Sequence, residues 1–399
     1  MTNSKEKICI LGGGFGGLYT ALRLSQLPWA METKPEIILI DQGDRCVFTP
    51  LLYEMVTGEM ESWEIAPPFS ELLKDTNINF YQDEITEIDL NHDQIKLRQN
   101  GNLDYTKLVI ALGGISSDFQ IKGVKENALY FRNLTDAEKL KNKLRLLEKS
   151  NPEKIRIAII GGGYTGVELA CKLAEQLGKK GRIRIIEKGD KILKNADSYN
   201  RKIAEKALRE RGVWLDLETE IESRQEDQIN LDYKGKIDPI PVDLLLWTVG
   251  SQVSPLIKDL PLSHHHSGQL LINNYLQVLE NEQIFALGDS SFLEDTKDNS
   301  LKNIPPTAQV ALQQADYCAW NIWATINQKP LLPFRYYNLG EMMTLGINNA
   351  SLSGLGIQLD GLFAHLTRRL IYLYRFPTWQ HQLNVGINWL IKPLKIQNL

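Results

Sequence analysis

The sequence predicts an α/β protein with two Rossmann-like dinucleotide-binding domains and an amphipathic, membrane-binding C-terminal region. Three observations predict it. Ile8 to Ala21 reads as an apolar strand, then G-x-G-x-x-G at Gly12, Gly14 and Gly17, then a helical pattern. Ile155 to Ala170 repeats that order, with Gly161, Gly163 and Gly166. The last stretch, from about Pro333, carries apolar residues at helical spacing beside Arg and Lys. One glycine turn is a weak signal. Two in one chain imply two dinucleotides held against each other.

Bulk properties set the frame. A chain of 399 residues exceeds one ordinary core, so two or three domains are expected. Hydrophobic content of 43% and charged content of 24% are those of a folded protein. A net charge of -4, with no basic tract or zinc spacing, points away from nucleic acid. The N-terminus runs into the first strand without an apolar signal region, so retention in a cytosol-like compartment is expected. No window reaches the ~18–20 uninterrupted apolar residues of a spanning helix. The four cysteines, Cys9, Cys46, Cys171 and Cys318, are scattered, which argues against a disulfide framework and against a metal site.

In the first cradle, Gly12 permits the tight turn and Gly14 lets a pyrophosphate approach the backbone. Phe15 follows, and Gly17 lets the helix pack on the strand. The positive end of that helix would hold the diphosphate. The strand Glu36 to Ile40 ends in Asp41, placed to accept the hydroxyl protons of an adenosine ribose. Next, Phe48-Thr49-Pro50-Leu51-Leu52-Tyr53 is either a structural corner or the lining of a flavin edge. The strand from Tyr105 would bring Ala111 and Gly113 close to a bound cofactor.

In the second cradle, Thr165 lies between Gly163 and Gly166. The strand Arg182 to Ile186 ends in Glu187, an acid that favours a free 2′-hydroxyl over a 2′-phosphate and hence NADH over NADPH. Lys188 and Lys191 follow closely enough for one of them to soften that preference. Glu168, placed in the first helical turn, either complements the helix dipole or handles protons beside the nicotinamide. Gly250 ends a buried strand that closes this domain. His264-His265-His266 reads as a solvated loop.

Further on, Asp289 ends a short strand and is suited to accept from a ribityl hydroxyl. Pro305-Pro306-Thr307-Ala308-Gln309 then opens a helix whose positive end, aimed at a flavin carbonyl edge, would stabilise reduced flavin. Gln309 and Gln313 share a face, where two amides either bind the carbonyl oxygens of an acceptor or are solvated. In the tail, Leu362, Leu366, Leu370 and Leu373 form one face, and His365, Arg368, Tyr372 and Arg375 another. After Pro377 come Trp379, Leu383, Ile387 and Leu390, then Lys392 and Lys395. The pattern suits helices lying in a membrane interface; a dimerisation or core surface is the alternative.

With these residues in view, the chain resembles the type II NADH dehydrogenases, single-subunit NAD(P)H:quinone oxidoreductases, over nearly its whole length. The resemblance rests on Gly12 to Gly17 with Asp41, Thr49 to Tyr53, Gly161 to Glu168, Trp247 to Gly250 and Ala286 to Asp289. It also includes the A-Q-x-x-x-Q segment Ala308 to Gln313, Gly340 to Gly346 and the tail. It implies FAD in the first cradle and NADH or NADPH in the second. A membrane quinone is implied near Gln309, Gln313 and Met343, with Glu168 as the carboxylate near the flavin. The tail and the Met342-Met343-Thr344-Leu345-Gly346 segment also look like the demethylphylloquinone reductases of phylloquinone biosynthesis, a branch associated with NADPH. That conflicts with Glu187, and the donor stays NAD(P)H.

The expected reaction is hydride transfer from NAD(P)H to FAD, then two electrons to a quinone such as a naphthoquinone, without proton pumping. The expected domains are 1–118 with 276–332 for FAD, 119–275 for NAD(P)H, and 333–399 for membrane and quinone. The expected location is peripheral, on the cytoplasmic face of a plasma or thylakoid-type membrane, with a homodimer allowed. Two rivals are a sulfide:quinone oxidoreductase, which needs two cysteines facing the flavin, and a soluble flavoprotein reductase of a protein partner. A disulfide reductase needs a redox cysteine pair that the chain lacks.

Overall fold

The structure, a computed structural model, describes residues 5–32, 34–293 and 304–396, with side chains as far as Ile391 in the last helix. The Lys392 and Lys395 side chains lie outside the described ones. Among the helices, α1 spans Phe15–Gln26, α2 Leu52–Val56, α3 Tyr164–Leu177, α4 Ala308–Ile326, α5 Gly361–Arg375 and α6 Trp379–Ile396. The chain separates into two compact units.

One unit comprises Met1–Val47, Ala66–Ile115 and Ser251–Tyr337. At its centre Lys7–Leu11 lies parallel to Glu36–Asp41 on one side and Lys107–Ile110 on the other, within an eight-stranded sheet. These strands are nearly continuous apolar runs because both faces of a parallel sheet are covered. Ile8 to Leu11 and Leu108 to Ile110 are fully buried. Helices α1 and α4 pack on each other, and Arg23 of α1 pairs with Asp316 of α4 at 2.6 Å.

The other unit comprises Phe48–Ile65, Ser116–Gly250 and Asn338–Leu399. Its five-stranded sheet is parallel throughout, with Ile155–Ile160 between Gly181–Ile186 and Leu244–Trp247. Two antiparallel three-stranded sheets accompany it. The second, Glu341–Thr344, Ala350–Gly354 and Ile357–Asp360, leads into α5.

The tail forms two helices that break at Pro377, as the pattern predicts. Its polarity differs from the ordinary interfacial arrangement. The leucine face points outward: Phe363 is 75% exposed, Leu370 65% and Leu390 77%. On the opposite face His365 and Arg368 are buried, Arg368 with no exposed surface at all. The reason is chemical. Arg368 finds a buried carboxylate, so its charge is compensated inside the protein rather than by water. Helix α6 is seated by Trp389 Nε1, which donates to Glu64 Oε1 at 2.9 Å, and by the His381 ring against the Glu64 carbonyl. Among the described residues no helix is long and apolar enough to cross a membrane.

Candidate active site

The two glycine cradles share one geometry. Gly12 has φ +99° and Gly161 φ +109°, a region in which L side chains are strained. A Cβ on Gly17 would lie 1.8 Å from the Gly12 carbonyl oxygen, and one on Gly166 would lie 1.9 Å from that of Gly161. Only glycine lets α1 and α3 approach their strands this closely. At Gly14 and Gly163 a Cβ would meet nothing within 4 Å, so the space in front of each helix is open. The N-cap residues Gly14 and Gly163 carry no side chain that could cap their helices, whereas α4 is capped by Thr307 through the Val310 N–H. A helix start whose own N-cap residue leaves open space in front of it suits a diphosphate.

The acids repeat as well. Asp41 accepts from Gly13 N at 2.6 Å and from Gly43 N at 2.7 Å. Glu187 accepts from Gly162 N and from Gly189 N, both at 2.7 Å. Each carboxylate is therefore pinned through both oxygens at the end of its strand. Burial raises the Asp41 carboxyl, against the pull of the two N–H groups. The residues present fit a dinucleotide in each cradle. In the first, Ala111 closes against Gly12, while Gly113 has φ +65° and open space beside it. Asp289 sits in the turn Gly288–Ser290, whose Gly288 N–H donates to Gln314. In the second, Thr165 lies beside the Tyr53 hydroxyl, and Gly250 abuts the Ser117 carbonyl.

Glu168 is the fifth residue of α3, one turn further in than the sequence suggests, and it is buried. Its Oε1 accepts the Thr344 N–H at 2.9 Å. Burial pushes its carboxyl up to about 7, against the Arg368 guanidinium and the hydrogen bonds from Thr344 and Tyr53. A buried acid that titrates near neutrality can hold or release a proton at working pH.

A cluster of four charged residues reaches it through Arg368 and Glu54. Arg368 Nη1 donates to Glu54 Oε1 at 2.5 Å, and its Nη2 donates to the Pro50 carbonyl at 2.7 Å. Lys172 stands 3.7 Å from Glu54 Oε1 and also pairs with Glu59. Burial alone would raise the Glu54 carboxyl, but Arg368 and Lys172 outweigh it and hold it at about 2. Burial, then Arg369, Lys172 and Arg368, keep His365 down at about 4.

Thr49, Pro50 and Leu51 form a short 3-10 turn leading into α2. Ala308 opens α4, with Gln309 and Gln313 one turn apart. Tyr336 OH donates to Gln309 Oε1 at 3.3 Å. Gln313 is engaged at both ends of its amide: its Nε2 donates to the Tyr337 carbonyl and its Oε1 accepts the Tyr337 N–H. Met343 is fully buried. All four cysteines are buried, and burial raises each thiol far from the thiolate that sulfur redox chemistry uses.

Sequence reasoning missed Glu54, Glu59, Lys172 and the role of Arg368. Two signals were present. Glu54 is the only charged residue in Leu51-Leu52-Tyr53-Glu54-Met55-Val56, and Glu168 and Lys172 are four apart on one helix.

Residues 6–315 match the family of pyridine nucleotide-disulphide oxidoreductases. Demethylphylloquinone reductase NdbB of Synechocystis sp. is 54% identical over 398 residues, covering 99% of this chain and 98% of that protein. The alternative NAD(P)H-ubiquinone oxidoreductase C1, chloroplastic/mitochondrial, of Arabidopsis thaliana is 41% identical over 427 residues, covering 98% of this chain and 81% of that one. The solved structure of NDH2 from Plasmodium falciparum in complex with NADH matches with a TM-score of 0.86 at 19% identity, over 98% of each chain, and shows likeness of fold.

Proposed function

The chain belongs to the pyridine nucleotide-disulphide oxidoreductases and, within them, to the type II NAD(P)H:quinone oxidoreductases, and from that premise we propose how its residues divide the work. The reaction moves electrons from NAD(P)H to a membrane quinone, depends on FAD and pumps no protons. FAD, when bound, supplies the two-electron redox chemistry, for which the four buried cysteines are unsuited.

The first cradle is assigned to FAD. The start of α1, with Gly12, Gly14, Phe15 and Gly17, holds its diphosphate and Asp41 its ribose; Ala111, Gly113, Asp289, Ala308 and Gln309 line the remainder. The second cradle, with Gly161, Gly163, Thr165, Gly166, Glu187 and Gly250, is assigned to the donor. The observation that carries this reading is the repeat itself: two glycine-capped helix starts, each with an acid pinned by two backbone N–H groups. It also supports NADH as the donor. A 2′-phosphate would meet a Glu187 carboxylate that cannot swing aside without losing both hydrogen bonds.

Glu168 is assigned to proton handling, because quinone reduction takes up two protons with two electrons. Gln309, Gln313 and Met343 are assigned to the acceptor, for which the Synechocystis relative's name supports a naphthoquinone. The outward leucine faces of α5 and α6 are assigned to a membrane surface, of the cytoplasmic side.

The test uses the full chain in detergent. Its flavin is released and identified by mass, then stopped-flow separates reduction by NADH or NADPH from reoxidation by a soluble naphthoquinone. FAD, a higher kcat/KM with NADH, and fast reoxidation by the quinone are expected. A flavin other than FAD, or reoxidation no faster than by oxygen alone, would sink the assignment. Preference for NADPH would remove the role given to Glu187.

A further inference from the structure

Two consecutive residues of α2 meet two residues one turn apart on α3. The Tyr53 hydroxyl, 3.4 Å from Thr165 Oγ1, acts on the Glu168 carboxyl and lowers it, and Glu54 faces Lys172 at 3.7 Å. Helix α5 joins them through Arg368, which donates to Glu54 at 2.5 Å. Glu54, Lys172 and Arg368 have no exposed side-chain surface. Glu59, only 11% exposed, completes a set of two anions and two cations. Glu54 Oε2, Arg368 Nε and His365 Nδ1 are buried polar atoms without a hydrogen-bond partner among the described residues. A cluster that only glued α5 in place would satisfy such atoms, since each one left over costs stability.

We propose that Glu54 is a positioning residue for the acceptor half of the reaction: by compensating Arg368 and Lys172 it decides how readily Glu168 takes up a proton. The inference rests on the reading of Glu168 as the proton-handling carboxylate. Glu168 is faced by Tyr53 and Glu54 from α2, by Arg368 and Tyr372 from α5, and by the Thr344 N–H. Tyr164, Cys171 and Lys172 lie on its own helix.

The signs follow from the charges. With Glu54 present the four charges sum to zero. Without it, two cations face one anion, so a Glu168 carboxylate is stabilised and its proton is lost more easily. Without Arg368 the surplus is negative, and Glu168 holds its proton more tightly. Opposite shifts from two partners of one ion pair are what charge compensation requires. Loss of packing alone has no such sign.

The experiment uses the flavin-loaded full chain in detergent, from pH 5.5 to 9. It measures the rate of reoxidation by a soluble naphthoquinone, together with the infrared carboxyl band assigned to Glu168 by its loss in Glu168→Gln. Glu54→Gln should move the ionisation down by about one pH unit. Arg368→Met should move it up, and Arg368→Lys should restore it. Should Glu54→Gln fail to retain flavin, Lys172→Met carries the test, with an expected upward shift. Unchanged ionisation in these variants, or shifts of one sign for Glu54→Gln and Arg368→Met, overturns the proposal while leaving Glu168 in its role. An ionisation that persists in Glu168→Gln overturns the Glu168 reading and the proposal with it.

Discussion

Glu168 Oε1 accepts the Thr344 backbone N–H at 2.9 Å, in a position buried on both sides. One carboxylate thus anchors the strand Glu341–Thr344 to the helix of the second cradle and also carries a titratable proton. The two duties separate on substitution, because a glutamine keeps the acceptor oxygen and loses the charge.

Stability should therefore respond to pH through this residue. The Glu168 carboxyl is raised from an ordinary value of 4.5 to about 7, so the folded state binds the proton more tightly than the unfolded one. Its contribution is complete below pH 4.5 and is lost as pH rises through 7. The span of the shift corresponds to about 3 kcal/mol. Urea unfolding of the wild type at pH 5 and pH 8 should differ by more than that of Glu168→Gln. Equal differences would show that Glu168 ionises in the fold as it does in the unfolded chain.

Arg368→Ala leaves Glu54 charged and buried, with only Lys172 beside it. The expected cost is about 3–5 kcal/mol, as for other broken buried pairs. Hydrogen exchange should accelerate first in α5, since Arg368 also holds the Pro50 carbonyl. Unchanged exchange in α5 would mean that the pair does not seat the helix.

The two cradles should fail separately. Gly17→Ala forces a Cβ against the Gly12 carbonyl, and Gly166→Ala does the same against Gly161. The first variant is expected to lose flavin on gel filtration. The second is expected to keep its flavin spectrum while KM for NADH rises at least about tenfold, as for the loss of ~1.4 kcal/mol of binding. Loss of flavin from Gly166→Ala alone would reverse the assignment.

Liposome flotation tests the outward face of α5. Leu366→Asp with Leu370→Asp removes two exposed leucines, each worth about 1.5–3 kcal/mol when buried. Binding should fall by at least about 100-fold, with reduction of the flavin by NADH unaffected. If flotation is unchanged and the variant instead turns from dimer to monomer, the face pairs copies of the chain.

Gln313→Leu removes both hydrogen bonds to the Tyr337 backbone. Reoxidation by a naphthoquinone should slow while reduction by NADH keeps its rate. Stopped-flow traces that show both half-reactions intact would take Gln313 out of the acceptor site.

The cradles were legible because their chemistry is local. A strand, a glycine turn, a helix start and an acid at the next strand end lie within about forty residues, and steric necessity at Gly12, Gly17, Gly161 and Gly166 admits one residue type. The leucine spacing of the tail was legible for the same reason, since helical periodicity is a property of the segment alone. The state of each charge was not. Arg368 read as one residue of a polar face separate from the leucines, yet it is buried because Glu54, 314 residues earlier, supplies the compensating charge. Glu168 read as either a helix-dipole acid or a proton carrier. Its desolvation, its Thr344 anchor and its neighbours from α2 and α5 come from distant segments, and only folding brings them together. Sequence alone determined which backbones could bind a dinucleotide. The environment that sets a proton's affinity is a sum over contacts in space, and the tertiary structure decided it.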